Sequence, residues 1–291
     1  RSVRQLSFPG GIQSHAAPEL PGSINEGGEL GYSLAHAFGA VLDDPGLIAA
    51  CVVGDGEAET GPLAAAWQCS HFLDPEHDGR VLPILHLNGY KIANPTVLAR
   101  IPREDLKKYL EGCGWTPLFV DVGSALATPS LPLEHAAMAK ALETCLRLLK
   151  RGKYPVLVLR SPKGWTGPSE TVDSFRSHQV PLDVLAEDGP EKLAAWLNSY
   201  GPHELFDPNG APNEEICALA PSGDLRMGAN PRANGGRLLR NLRLPDWREY
   251  VFPVKDHGEQ DAGDMGVLAP YVSDVMRLNR DAKNFRIFSP D

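Results

Sequence analysis

Residues 47–94 constrain the fold of this chain more than any other stretch. They read as a buried strand that ends in Gly-Asp-Gly at 54–56, a helix, and a second buried strand that ends in Asn-Gly-Tyr at 88–90. When two parallel strands are joined by a helix, their carboxyl ends lie on the same edge of the sheet, where open α/β folds bind ligands. We therefore expect the Asp55 carboxylate and the Asn88 amide to meet at that edge.

Strands and helices alternate up to about residue 181. Apolar runs of strand length lie at 47–53, 81–88, 116–122 and 154–160, and helical periodicity covers 133–151 and, more briefly, 190–200. This alternation predicts an α/β domain with a mainly parallel sheet flanked by helices. A continuous apolar run such as 47–53 is typical of a strand that is buried on both faces.

A loop rich in Gly, Pro and Ser precedes the first predicted helix. The helix is expected from about Gly28, because apolar residues then recur at helical intervals: Leu30, Leu34, Phe38 and Val41. The loop would place His15 and the glycine pair at 27–28 by the helix N-terminus, whose free amides can bind a diphosphate oxygen. A second helix is expected to start near Thr60, a candidate N-cap, with Pro62 in its first turn.

The regular alternation ends at about residue 181. A polar segment at 246–266 reads as an irregular surface arm, and the run at 284–291 begins as a strand-like apolar segment. We expect residues 1–243 to form one domain and residues 244–291 to be a connector toward a further domain. Because residue 1 is not Met and the final run stops on entering a turn, we expect a piece of a longer polypeptide.

Composition argues against several classes of function. The chain has a net charge of −9 and no cluster of Lys and Arg, whereas nucleic-acid binding requires several cations on one face. No apolar run approaches the ~18 residues of a membrane span, and the N-terminus lacks the apolar core of a signal peptide. The five cysteines form no CxxC pair, and their odd number argues against a disulfide framework. We therefore expect a cytoplasmic protein that binds neither nucleic acid nor membrane.

Three kinds of oxygen donor are expected at the shared sheet edge: the carboxylate of Asp55, the amide of Asn88 and the backbone carbonyl of Tyr90. A hard divalent ion such as Mg²⁺ prefers such ligands and completes its octahedron with phosphate oxygens or water. Gly54 and Gly56 would let the backbone approach a diphosphate closely. A lone Gly-Asp-Gly run also fits a simple tight turn after a strand, so this motif by itself leaves both interpretations open.

Gly-Asp-Gly at one strand end, with Asn at the end of the next, resembles the diphosphate-binding signature of thiamine diphosphate enzymes such as transketolase. Most of the chain is closely similar to the phosphoketolases that cleave xylulose 5-phosphate or fructose 6-phosphate. The similar runs lie at 8–41, 52–67, 81–101, 161–168 and 174–182. There are two departures: Asn25 stands where the family pattern has His, and the spacing between the two signature runs is long.

The resemblance implies a transketolase-like diphosphate-binding (PP) domain without its N-terminal part, which uses thiamine diphosphate and Mg²⁺. The implied activity is that of an aldehyde-lyase. Inorganic phosphate cleaves xylulose 5-phosphate or fructose 6-phosphate to acetyl phosphate and an aldose phosphate, glyceraldehyde 3-phosphate or erythrose 4-phosphate. The implied partners are these substrates, a pyrimidine-binding domain outside this chain that carries the activating glutamate, and further copies in a homodimer or larger homo-oligomer.

The resemblance also implies roles for individual residues. Catalytic roles fall to His15 and His178, and metal ligation falls to Asp55, Asn88 and Tyr90. Cofactor-binding roles fall to Gly28, Gly54, Asp55, Gly56, Glu57, Asn88, Ile92 and Lys163. The residue types alone also fit exposed surface side chains at His15, His178 and Lys163, and ordinary core packing at Ile92. Glu57 fits a bond to a backbone amide better than acid–base chemistry.

Two alternatives to a phosphoketolase stay open. Another thiamine diphosphate enzyme, such as a transketolase, would share the Asp55 and Asn88 signature but transfer its two-carbon unit to an aldose. A non-catalytic module that holds Mg²⁺ and diphosphate is the second alternative. It is our expectation for this chain in isolation, because the resemblance places the activating glutamate elsewhere and the cofactor between two domains.

Overall fold

The chain separates into two compact units, 1–233 and 234–291. The computed structural model describes residues 11–123 except 12, 18, 19 and 21, and residues 131–178, 182–231, 240–259 and 261–289. The first unit contains the sheet, and the second contains the last helix. The boundary expected at residue 243 from the sequence stays a prediction.

Within the described residues of the first unit, four strands form the sheet. They are β1 (Ile48–Gly54), β2 (Arg80–Leu87), β3 (Thr116–Asp121) and β4 (Pro155–Arg160). Their spatial order is β1-β2-β4-β3, and all three neighbouring pairs are parallel. Gly54 pairs with His86, and Arg160 pairs with both Leu87 and Asp121, so all four strands end on one edge. The prediction of an α/β fold with a mainly parallel sheet is confirmed.

Helices connect and follow the strands. In the first unit they are α1 (Ser33–Ala40), α2 (Asp55–Ala58), α3 (Gly61–Ala66), α4 (Val97–Arg100), α5 (Arg103–Gly112), α6 (Leu131–Lys150), α7 (Gly189–Asn198), α8 (Pro202–Leu205) and α9 (Glu214–Leu219). The second unit contributes α10 (Asp264–Asn279). Within the ranges that the structure describes, no helix is both long and apolar enough to cross a lipid bilayer.

The two faces of the sheet bury different sets of side chains. On one face, Val81 of β2 and Val156 of β4 pack among buried residues of α1, α3 and α5. On the other face, Leu82 of β2 and Leu157 of β4 pack against Cys145 of α6. The alternation follows from the two-residue period of a strand, which points successive side chains to opposite faces. Helices pack on both faces of the sheet and hold the strands in place. The carboxyl ends of the strands therefore form an edge with a fixed geometry.

Strand β1 is not buried on both faces, which corrects the expectation from its continuous apolar run. Val53 is fully buried on the face covered by α1, whereas Val52 is 66% exposed and Ile48 is 41% exposed. The reason is the position of β1: among the described residues it is an edge strand that pairs with β2 alone, and α6 lies over β3 and β4.

Helix α1 begins at Ser33 and not near Gly28, which corrects a second expectation. Residues 27–31 form turns, and Gly31 has a φ of +106°, outside the range of a right-handed helix. Leu30 is therefore exposed, while Leu34 is fully buried.

Helix α3 has Pro62 in its first turn, as predicted. Thr60 occupies the N-cap position but does not cap the helix with its side chain, because its hydroxyl donates to the Glu57 carbonyl at 2.6 Å.

The chain after residue 181 contains more helix than the sequence suggested. Helix α7 agrees with the predicted helix at 190–200. Helix α10 was not predicted; Pro270 lies inside it, and a proline normally indicates the end of a helical pattern. The run that reads as a strand is not one over its described residues, 284–289. No strand lies within the described part of the second unit to pair with it.

Candidate functional site

Asp55 anchors the site at the end of β1. It is the first residue of α2 and is only 1% exposed. Its Oδ2 accepts hydrogen bonds from the Gly89 amide at 2.7 Å and the Thr96 hydroxyl at 2.9 Å, and its Oδ1 accepts one from the Gly56 amide at 3.1 Å. Burial raises the pKa of Asp55, and these hydrogen bonds partly offset that effect by stabilising the ionised form.

The loop that follows β2 folds back on itself beside Asp55. The Thr96 amide donates to the Gly89 carbonyl at 3.0 Å, and the Lys91 amide donates to the Asn94 carbonyl at 2.8 Å. Gly89 has a φ of +93°, which favours glycine at this turn. The Asn88 Oδ1 accepts a hydrogen bond from the Tyr90 amide at 3.0 Å, and this bond orients the side chain back over its own loop.

The predicted ligand residues are brought together by one contact. Asp55 binds the amide of Gly89, and Gly89 lies between Asn88 and Tyr90 in the chain. The two backbone hydrogen bonds that close the loop use the carbonyls of Gly89 and Asn94 and not that of Tyr90. A carboxylate, an amide oxygen and a carbonyl therefore lie on adjoining segments, and all three are ligands that suit Mg²⁺.

The predicted metal site is not a cluster of acidic, thiol or imidazole side chains. In the described part of the chain, no group of three or more His, Cys, Asp and Glu residues could hold a metal ion. The predicted set contains one such residue, Asp55. The residues present fit a hard divalent ion, and ligation by Asp55, Asn88 and Tyr90 stays a prediction.

Lys163 comes from the loop after β4 and reaches into the same site. It is 8% exposed, which excludes the interpretation of an ordinary surface lysine. Its Nζ donates to the carbonyl of Lys91 and, at 3.5 Å, to that of Ile92, and it lies 3.3 Å from the His178 Nδ1. Burial lowers the pKa of Lys163, and the Asp55 charge opposes that shift. The structure thus brings together Lys163, His178 and the loop after β2.

Hydrogen bonds within the loop that carries Lys163 and His178 stabilise its conformation. The Asp173 amide donates to the Lys163 carbonyl at 2.8 Å, and the Ser177 hydroxyl donates to the Thr171 carbonyl at 2.8 Å. The Tyr90 hydroxyl reaches this loop and donates to the Asp173 carbonyl at 3.2 Å. These bonds hold the loops after β2 and β4 against each other.

The Glu57 carboxylate holds the N-terminal loop by hydrogen bonds. Its Oε1 accepts hydrogen bonds from the Gly31 amide at 3.0 Å and the Ser33 hydroxyl at 2.8 Å. A bond to a backbone amide is the arrangement that the residue type favoured. Glu57 therefore links α2 to the start of α1, and its role toward a cofactor stays a prediction.

The expected free amide at Gly28 is not found. The Gly28 amide donates to the Glu26 carboxylate at 2.7 Å, and α1 begins five residues later. His15 is exposed, and its Nδ1 lies 3.0 Å from the Ser14 hydroxyl. A Cβ added to Gly28 would lie 3.4 Å from the His15 Nδ1, so these two residues are neighbours. Among the described residues, no hydrogen bond joins His15 to Lys163 or His178.

The remaining predicted residues lie close to the Asp55 end of the site. A Cβ added to Gly56 would lie 3.4 Å from the Lys91 side chain, whereas one added to Gly54 would meet no atom within 4 Å. Ile92 is 63% exposed, which excludes ordinary core packing and leaves its side chain accessible.

Sequence reasoning missed two contributors, Thr96 and Glu59. Thr96 binds Asp55 directly, and Glu59 pairs with Lys91 while accepting a hydrogen bond from the Val97 amide at 2.7 Å. In addition, the Nε2 of His86 on β2 lies 2.7 Å from the Ser161 hydroxyl. Burial lowers the pKa of His86. The one available signal was position, since these residues flank the signature runs.

Comparison with known proteins shows the family to which the chain belongs. The family model of the XFP N-terminal domain matches residues 1–238. Proteins named "Probable phosphoketolase" from Clostridium acetobutylicum and Rhodopirellula baltica are 55% and 53% identical to the chain, over 309 and 307 residues. Each alignment covers 99% of this chain and 38% of the relative, so the chain spans about two fifths of their length. The chain belongs to the XFP N-terminal domain family, the N-terminal region of phosphoketolases.

Proposed function

We propose that the complete polypeptide carrying this chain is a thiamine diphosphate- and Mg²⁺-dependent phosphoketolase. It would use inorganic phosphate to cleave xylulose 5-phosphate or fructose 6-phosphate, giving acetyl phosphate and glyceraldehyde 3-phosphate or erythrose 4-phosphate. Family membership supports this proposal. The structural observation that carries it is the hydrogen bond from the Gly89 amide to Asp55, which brings the three predicted ligand residues onto adjoining segments.

In this proposal Asp55, Asn88 and the Tyr90 carbonyl hold Mg²⁺, and the ion holds the cofactor diphosphate at the sheet edge. A Cβ at Gly54 would meet no atom within 4 Å and the Ile92 side chain is exposed, so both positions are open to a cofactor. When bound, thiamine diphosphate supplies the electron sink needed to break a carbon–carbon bond. The protein's own residues supply orientation and proton transfer.

His178 is one proposed catalytic residue, and Lys163 beside it is proposed to bind the cofactor or a phosphate. A lysine ammonium can only donate hydrogen bonds, so in the charged state of Lys163 the His178 Nδ1 is the acceptor. Neutral His178 then carries its proton on Nε2, on the far side of the ring. The carbonyls of Lys91 and Ile92 fix the position of the Lys163 ammonium. His15, in the N-terminal loop, is the second proposed catalytic histidine.

The test of the proposed reaction is phosphate dependence. The complete polypeptide is given fructose 6-phosphate, inorganic phosphate, Mg²⁺ and thiamine diphosphate, with no aldose acceptor. We expect acetyl phosphate and erythrose 4-phosphate in equal amounts. Two-carbon transfer to an added aldose, with no acetyl phosphate, would identify a transketolase-type enzyme instead.

For the 291-residue chain alone we propose a non-catalytic module that at most binds Mg²⁺ and diphosphate. The observation that favours this is its extent, since the chain spans about two fifths of the relatives' length. A pyrimidine-binding domain and a second subunit are the partners proposed to complete the site. Calorimetry with thiamine diphosphate and Mg²⁺, combined with an acetyl phosphate assay, tests this proposal. Turnover by the chain alone would contradict it.

A further inference from the structure

The two carboxylate oxygens of Asp55 are unequally occupied. Oδ2 accepts two hydrogen bonds, from the Gly89 amide at 2.7 Å and the Thr96 hydroxyl at 2.9 Å. Among the described residues, Oδ1 accepts one hydrogen bond, at 3.1 Å, from the amide of the next residue, Gly56. A carboxylate oxygen offers about two acceptor positions, so the protein itself fills those of Oδ2.

Thr96 is held firmly in the place where it donates to Asp55. It is fully buried, and its amide donates to the Gly89 carbonyl at 3.0 Å. The next residue, Val97, donates its amide to Glu59, which in turn pairs with Lys91. Both sides of Thr96 are therefore fixed, and its hydroxyl has a defined direction.

We propose that Thr96 is a positioning residue that makes Asp55 a one-oxygen ligand and thereby selects Mg²⁺ over Ca²⁺. With Oδ2 committed to Thr96 and Gly89, the carboxylate presents Oδ1 alone. Mg²⁺ requires near-octahedral geometry at short distances, whereas Ca²⁺ accepts six to eight ligands and often takes both oxygens of one carboxylate. A carboxylate locked in this way suits the smaller ion. This inference rests on the proposed function, because it assumes that Asp55 is a metal ligand.

Removing the hydroxyl should release the carboxylate. In Thr96→Val the shape of the side chain is nearly kept, but Oδ2 retains the Gly89 amide alone. The carboxylate can then turn and offer both oxygens. Loss of a residue that orients a metal ligand typically costs ~10- to 100-fold in metal affinity, so we expect at least a ~10-fold loss for Mg²⁺. Ca²⁺ should lose less, and the ratio of the two affinities should fall. Thr96→Ser keeps the hydroxyl and should restore the ratio.

The experiment measures apparent Kd values for Mg²⁺ and for Ca²⁺ in the complete polypeptide with saturating thiamine diphosphate. The variants are Thr96→Val, Thr96→Ser and, should the valine variant not fold, Thr96→Ala. Thermal unfolding of the metal-free proteins reports folding separately. Thr144→Val is the matched control, because its hydroxyl bonds within its own helix, α6, to the Lys140 carbonyl.

A lowered ratio of Mg²⁺ to Ca²⁺ affinity in Thr96→Val or Thr96→Ala, with recovery in Thr96→Ser, supports the inference. Equal losses for both ions would reduce Thr96 to a structural residue and overturn it, as would unchanged Kd values. Cofactor and metal binding by the wild-type protein distinguishes failure of the Thr96 inference from failure of the proposed function. If it binds the cofactor with Mg²⁺ and the variants match it, this inference alone fails; if it does not bind at all, the proposed function fails as well.

Discussion

The Gly89 amide donates a hydrogen bond of 2.7 Å to the Oδ2 of Asp55. This contact joins the end of β1 to the loop after β2. Because Gly89 lies between Asn88 and Tyr90, the bond fixes the carboxylate beside the segment that carries the other two predicted ligands. The first prediction follows from that geometry.

In the complete polypeptide, Asp55→Ala and Asn88→Ala should each abolish retention of thiamine diphosphate and Mg²⁺, because each removes one of the proposed metal ligands. Cofactor content after gel filtration measures this directly. Asp105→Asn, on the exposed face of α5, is the matched control and should keep its cofactor. Normal occupancy in either alanine variant would contradict the metal assignment.

His15→Ala should retain the cofactor and lose turnover, since His15 lies in the N-terminal loop and, among the described residues, makes no hydrogen bond to Asp55. General acid–base groups typically contribute ~10²- to 10⁴-fold to the rate, which sets the expected loss. Cofactor occupancy and acetyl phosphate formation are measured on the same preparation, with exposed His203→Ala as the control. A parallel fall in both would make His15 a binding or folding residue.

Glu57→Ala should destabilise the metal-free protein by about 1–3 kcal/mol, because it leaves the Gly31 amide and the Ser33 hydroxyl without their acceptor. Glu57→Gln, which keeps an acceptor oxygen, should lose less. Urea unfolding of both variants provides the measurement. Glu29→Ala, an exposed glutamate of the same loop, serves as the control. Equal stability of Glu57→Ala and wild type would show that the hydrogen bonds of Glu57 do not contribute to the free energy of unfolding.

Stability should fall as the pH drops below the ordinary histidine value of 6.5, and His86 should contribute to that fall. Burial lowers the pKa of His86 in the folded state, so below pH 6.5 the unfolded chain takes up a proton that the folded chain does not. The stability associated with neutral His86 is thus present above this pH and is lost as the pH falls toward the lowered pKa. His86→Gln should make the free energy of unfolding less pH-dependent in that window.

Urea unfolding at several pH values between about 5 and 7.5 tests the His86 prediction, in the window set by its lowered pKa. His135→Gln, on the exposed part of α6, is the matched control for replacement of a histidine. An identical pH dependence for wild type and His86→Gln would show that burial of His86 is not coupled to folding.

Patterns within short segments predicted most of the first unit. The four strands were predicted because each is a run of apolar residues bounded by turn residues. The meeting of Asp55 with residues 88–90 followed from parallel topology, which brings strand ends to one edge. The same reasoning was wrong for Val52 and Leu30, because burial depends on what lies opposite a residue. It also missed α10, since Pro270 interrupts the pattern of a helix that the fold tolerates.

The amino-acid sequence by itself determined the order of elements, the edge at which they end and the family to which the chain belongs, because these depend on periodicity and on residues close together in the chain. Tertiary structure alone decided the environment of each side chain. Lys163 is buried because the loops after β2 and β4 dock on each other, and Oδ2 of Asp55 is committed because Thr96 folds back over 41 residues of chain to reach it. Such contacts arise from three-dimensional packing, and no local pattern specifies them.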